Sequence, residues 1–208
     1  VKSQVRTNGF FDTLYPFRAN YATSGRIEKG RLVTASYHYD SKSRFNKRSK
    51  ELVYNQKGLP LYRISTKNDR QKKVDIEQDI SNLGTTDLQT VFAELAYQYN
   101  QVKFCNARME VFDGKRRFDV IFNDEGHEEL LANEYSPLAG KALKCAMHID
   151  NLGTKDDDLM WSLTSDEPVY FWILEDEASG KPYIARVLIN HTPLGQLQVY
   201  TKKITVRK

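Results

Sequence analysis

Apolar and polar residues alternate through residues 31–39: Val33, Ala35, Tyr37 and Tyr39 take one side and Leu32, Thr34, Ser36 and His38 the other, the two-residue period of a β-strand. Residues 51–54 and 61–66 read as two more strands, and Gln56, Lys57, Gly58, Leu59 and Pro60 between them supply turn chemistry, so a hairpin is expected there. A sharper hairpin signal runs from Met109 and Val111 through Asp113-Gly114 to Phe118, Val120 and Phe122, because Asp-Gly tolerates the positive φ of tight turns. Residues 169–174 are apolar on both faces and predict a central strand covered on both sides. Residues 183–190 and 196–206, joined by Thr192-Pro193-Leu194-Gly195, predict a closing β-ribbon.

One stretch keeps a different period. Leu88, Val91, Phe92, Leu95, Ala96 and Tyr99 fall at the spacing that lays one apolar stripe along an α-helix. Thr86 with Gln89 three positions on reads as a capping box, and Asp87 suits the positive end of the helix. Such a stripe needs a partner, and in a chain otherwise made of strands that partner is the concave side of a sheet. The fold class expected is mainly β: a curved antiparallel sheet, barrel-like or half-barrel, of about ten strands with one amphipathic α-helix packed against it. A chain of 208 residues without repeats, low-complexity segments or linkers is expected to fold as a single β-rich domain over 1–208.

Composition narrows the class. Hydrophobic residues make up 40% and aromatic ones 12%, with 11 Gly and 6 Pro, which excludes disordered and collagen-like chains. No apolar run approaches the ~20 residues of a membrane-crossing helix. Charge is unevenly spread: residues 1–74 carry 17 basic and 5 acidic side chains, residues 75–180 carry 8 and 22, and residues 181–208 carry 6 basic and no acidic ones. Basic ends and an acidic middle either neutralise each other on folding or leave a field that attracts a membrane surface, a polysaccharide or a nucleic acid. Lys47, Arg48 and Lys50 are the densest basic run, but only Phe45 stands near them to stack on a base, so nucleic acid is not expected as a partner. The chain opens on Val1 with no charged-then-apolar leader, which fits either a mature form whose signal peptide has been removed or an excised piece of a longer chain, and by itself says nothing about secretion.

Motifs that carry chemistry are weak. His127-Glu128-Glu129 begins like a zinc-protease helix, but Leu131 stands where the second histidine belongs. His38, His148 and His191 lie far apart, and Asp156, Asp157 and Asp158 read as a solvated acidic loop rather than a cation site. There is no nucleophile elbow, phosphate loop or dinucleotide fingerprint. The carboxylate pairs Asp75 with Asp79 and Glu110 with Asp119 cannot be told from solvent-facing strand charges by sequence. No catalytic, cofactor-binding or metal residue is therefore assigned. The 12 Tyr, 10 Phe and 2 Trp either fill a core or line a concavity able to hold an acyl chain or peptide. Cys105 and Cys145 fit either a disulfide closing a loop of about 40 residues or two buried thiols.

Taken in order, the Tyr-rich opening strands, the helix Thr86-Asp87-Leu88-Gln89-Thr90-Val91-Phe92-Ala93, the run from Val111-Phe112-Asp113-Gly114-Lys115-Arg116-Arg117 to Phe118-Asp119-Val120, then Cys145, Pro182-Tyr183-Ile184-Ala185-Arg186-Val187 and Thr192-Pro193-Leu194-Gly195 resemble the bacterial domain-of-unknown-function family three-one-zero-eight over nearly the whole chain. The resemblance implies a β-rich fold, a periplasmic or envelope location and, in an oxidising compartment, a disulfide between Cys105 and Cys145. It supplies no catalytic residues. The resulting expectation is an exported bacterial envelope protein that binds or scaffolds and is not an enzyme, with an envelope component, a lipid or an anionic surface as partner. A periplasmic carrier of a hydrophobic ligand and a hydrolase of unrecognised type are the alternatives.

Overall fold

The computed structural model describes residues 1–7, 12–13, 16–28, 31–77, 79, 87–151, 167–192 and 195–203. Thr86 of the expected capping box, the Asp156–158 loop, Pro193, Leu194 and the end of the last expected strand lie outside them.

The chain is mainly β and antiparallel, with one long helix. Strands β1 (Lys2–Arg6), β2 (Phe17–Glu28), β3 (Arg31–Ser43), β4 (Lys47–Tyr54), β5 (Pro60–Lys67) and β6 (Arg70–Asp75) pair in chain order into one six-stranded meander. Helix α1 (Leu88–Val102) follows. Strands β7 (Ala107–Phe112), β8 (Arg117–Leu130), β9 (Gly140–Asn151), β10 (Val169–Glu175), β11 (Pro182–Thr192) and β12 (Gly195–Tyr200) form a second six-stranded meander, again in chain order. The strands thus divide between two sheets where the sequence suggested one, because more than thirty residues, including the helix, separate β6 from β7 and no tight turn can join them.

Contacts divide the chain into two compact units, Val1–Glu94 with Glu110–Arg117, and Leu95–Met109 with Phe118–Lys208. The boundary runs through α1 and through the β7–β8 hairpin.

In the first unit one face of the sheet is apolar and aromatic where it is covered. Leu52, Tyr54 and Phe112 form a buried cluster with Tyr37 and Ile76 packed on it. Phe112 comes from the hairpin, whose loop is held by Asp113: its Oδ1 accepts from the N–H groups of Lys115 (2.9 Å) and Arg116 (2.8 Å). Gly114 is required there twice over, with φ of +86° and a Cβ position 2.9 Å from Arg63 Cδ. The strict alternation expected for residues 31–39 breaks at a bulge, where the β2–β3 register shifts between Ser24 and Gly25. The shift turns Thr34 inward, leaving it 3% exposed. Gly25 permits the approach, since a Cβ on it would stand 2.4 Å from the Val33 carbonyl oxygen.

In the second unit β10 sits between β9 and β11, and its residues are buried on both faces, as the apolar run predicted. On one face Phe122 meets Phe171 edge-on, with ring centroids 5.7 Å apart. On the other, Trp172, Leu174, Ala142, Ala185 and Leu130 cluster beneath Leu138 and Tyr170. Cys105 and Cys145, both without exposure, lie at disulfide distance with Cα atoms 6.3 Å apart. The aromatic side chains named in these clusters fill cores. The outermost strand, β12, carries no charged side chain and exposes Leu197 and Val199.

Candidate functional site

Four strands of the second sheet bring side chains far apart in sequence into one transverse row. Lys144 on β9 stands opposite Trp172 on β10, Trp172 opposite Arg186 on β11, and Arg186 opposite Tyr200 on β12. Cation and ring alternate along it. The Arg186 guanidinium lies 4.6 Å from the Trp172 ring and 5.7 Å from that of Tyr200, while the Lys144 ammonium lies 5.7 Å from Trp172 and 4.8 Å from Tyr170. Tyr135 extends the row, stacked on Tyr200 at 5.7 Å. A register shift between Trp172 and Ile173 makes room for Ala185 on the same side. The Trp172 indole N–H donates to Glu128 Oε2 at 2.8 Å, which ties the ring to β8.

At the Arg186–Tyr200 end of this row opens a cleft of about 300 Å³. Ala185, Arg186 and Tyr200 line it from the strands, and Glu128, Leu130 and the segment that leaves β8 line it from the other side. That segment is tied down: Ser136 Oγ donates to the Thr201 carbonyl at 2.7 Å, and Asn133 Oδ1 accepts from the N–H groups of Tyr135 and Ser136. The result is a wall with apolar groups from Leu130 and Leu138, a planar ring from Tyr200 and a carboxylate and guanidinium at the rim. Such a set suits a small amphipathic molecule, and the volume is at the lower end of ligand sites.

The first unit holds a buried polar centre instead. Asp87, 3% exposed, accepts from the Thr90 hydroxyl (2.6 Å), the N–H groups of Gln89 (3.0 Å) and Thr90 (3.1 Å), and the Thr23 hydroxyl (3.0 Å), with Thr34 Oγ1 at 3.3 Å. It is the N-cap of α1, where the sequence suggested only a favourable charge. Burial and then the Asp87 charge push the Tyr37 and Tyr54 phenols well above the usual tyrosine range, and burial and Tyr39 push Tyr21 up to about 12. Burial pushes the Asp113 carboxyl up, but the Lys50 charge and the Arg116 hydrogen bonds outweigh it and hold the group below the usual carboxylate range.

Asp75, Glu110 and Asp119 each have a cationic partner. Asp119 is bound by Arg108, with Nε at 2.8 Å, and Glu110 by Arg117 at 2.6 Å; Asp75 pairs with Lys73 at 3.6 Å. His38 lies 3.7 Å from Asp40, and His191 2.5 Å from Glu167. Among the described residues no group of three His, Cys, Asp or Glu is placed to hold a metal ion. The cation–aromatic row is not legible in the sequence because only strand register brings its members together; the signal available was Trp172 and Arg186, each a lone residue of its kind in an apolar run.

Fold and cleft define a two-sheet antiparallel β protein with a small-molecule-sized recess on its second sheet. The family model described as Protein of unknown function (DUF3108) matches residues 1–200, and the chain belongs to that family. No curated protein and no solved structure matches it.

Proposed function

We propose that this protein is exported to the bacterial cell envelope and acts there by binding, without chemistry of its own, its ligand seated in the cleft beside Arg186 and Tyr200. The observation that carries the reading is the cleft of about 300 Å³ with a braced wall. Three of its polar groups are engaged in holding position: Glu128 receives the Trp172 indole, Ser136 holds the Thr201 carbonyl and Asn133 closes its own turn. Groups so engaged orient a guest rather than transfer protons. The cysteine pair supports export, since disulfides persist in oxidising compartments such as the periplasm.

Native mass spectrometry of protein recovered from a bacterial periplasm tests both halves. The expected result is a chain lighter than its reduced form by one disulfide and carrying a small-molecule adduct that Ala132→Trp, a substitution at the exposed lining of the cleft, removes. A reduced chain would overturn the location, and an adduct indifferent to Ala132→Trp would overturn the site.

A further inference from the structure

Register places seven cations in two directly opposed rows at one end of the first sheet. Arg6 faces Arg18, Arg18 faces Lys42, and Lys42 faces Lys47 across β1 to β4. One residue further in, Arg48 faces Lys67 and Lys67 faces Arg70 across β4 to β6. Successive residues of a strand point to opposite faces, so the two rows occupy the two sides of the same sheet end. All seven are exposed, and none has a carboxylate within ion-pair distance among the described residues. Asp40 accepts from Asn20 and lies near His38, Asp12 accepts from Thr7, and Asp69 stands in the turn before Arg70.

Like charges directly opposite each other on neighbouring strands are destabilising. Seven in that relation mark a surface that an external anion neutralises.

The tip between β3 and β4 says which kind. Ser43 and Asn46 close a turn through Ser43 N–H to the Asn46 carbonyl at 2.8 Å, leaving Arg44 and Phe45 at its apex. Phe45 is 78% exposed, with the Arg44 guanidinium 5.5 Å from its ring. The base of the tip is tied to the β5–β6 turn, because Lys47 and Asn68 exchange hydrogen bonds. One ring is too little for a nucleic-acid platform of stacked bases; a bilayer suits a lone exposed ring, since its interface takes up aromatic rings while its headgroups meet the flanking Lys and Arg.

From this we infer that the basic end of the first sheet docks on an anionic lipid bilayer, Phe45 entering the headgroup–acyl boundary and the two rows binding lipid phosphates. The inference does not depend on the cleft or its ligand.

Co-sedimentation with phosphatidylglycerol-containing vesicles, with phosphatidylcholine vesicles and with single-stranded DNA tests it. The full chain is expected to sediment with the anionic vesicles alone and to be released as salt shortens the range of the charges. Lys42→Ser with Lys47→Ser is expected to weaken binding about fivefold per cation removed, while the melting temperature stays level or rises. Phe45→Ser is expected to weaken binding at every salt concentration, and Phe45→Trp to give a blue-shifted emission gain over the parent chain when anionic vesicles are added. Equal binding to both vesicle types, no binding to either, or retention by DNA that Phe45→Ser leaves unchanged would each overturn the proposal.

Discussion

With its carboxylate buried beneath three threonine hydroxyls and two helix N–H groups, Asp87 is expected to cost far more to remove than an ordinary cap. Asp87→Ala should lower stability by about 2–4 kcal/mol, about 1 from the lost cap and the rest from donors left buried without an acceptor. Urea unfolding with a lower midpoint at constant slope would show it. Tyr54→Phe should do the reverse on a small scale. The Tyr54 hydroxyl is buried and finds no partner among the described residues, so deleting it should leave stability unchanged or raise it by up to about 1 kcal/mol. Asp113 contributes to the acid limb. Its pKa is lower folded than unfolded, so its contribution is complete above the ordinary carboxylate value of about 3.9 and is lost as pH falls through the folded value. Asp113→Asn should therefore flatten the fall in stability below about pH 4, read by unfolding midpoints across that range.

At the scale of elements, periodicity was informative wherever one face of a segment alone determined burial. The stripe of α1 was legible, and Val91, Leu95 and Tyr99 are buried at 5% exposure or less. A run apolar on both faces was legible too, in β10, and so was the Asp113-Gly114 hairpin, whose glycine needs its positive φ. Register was not legible. The bulge at Gly25 moves Thr34 from the polar side to the buried one, and nothing in the alternation of residues 31–39 announces it. The same limit hid the Lys144–Trp172–Arg186–Tyr200 row and therefore the cleft beside it. Gly25→Ala is the direct test of the bulge. Its methyl would collide with backbone rather than a yielding side chain, so the substitution should destabilise by about 1–3 kcal/mol and weaken amide protection of β2 and β3 around the bulge first.

For the whole molecule, the division into units predicts where a single covalent tie is felt. Cys105 and Cys145 both belong to the second unit and close a separation of 40 residues, for which chain entropy gives about 4 kcal/mol. Reduction should lower amide protection in β8, β9 and β10 well before that of β2 to β5, as hydrogen exchange with and without reductant would report. Uniform loss across both sheets would mean that the units unfold as one. Charge divides with the units as well: the first has 20 basic and 12 acidic side chains, the second 11 and 15. The basic opening of the sequence thus remains a property of one unit in the fold, and the row from Arg6 to Lys47 concentrates it at one sheet end. An engineer scanning this chain for easy thermostability would neutralise that row early and be rewarded at the calorimeter. The improved variant would be the one that no longer finds its surface, so hardiness alone is a misleading guide to a good version of this protein.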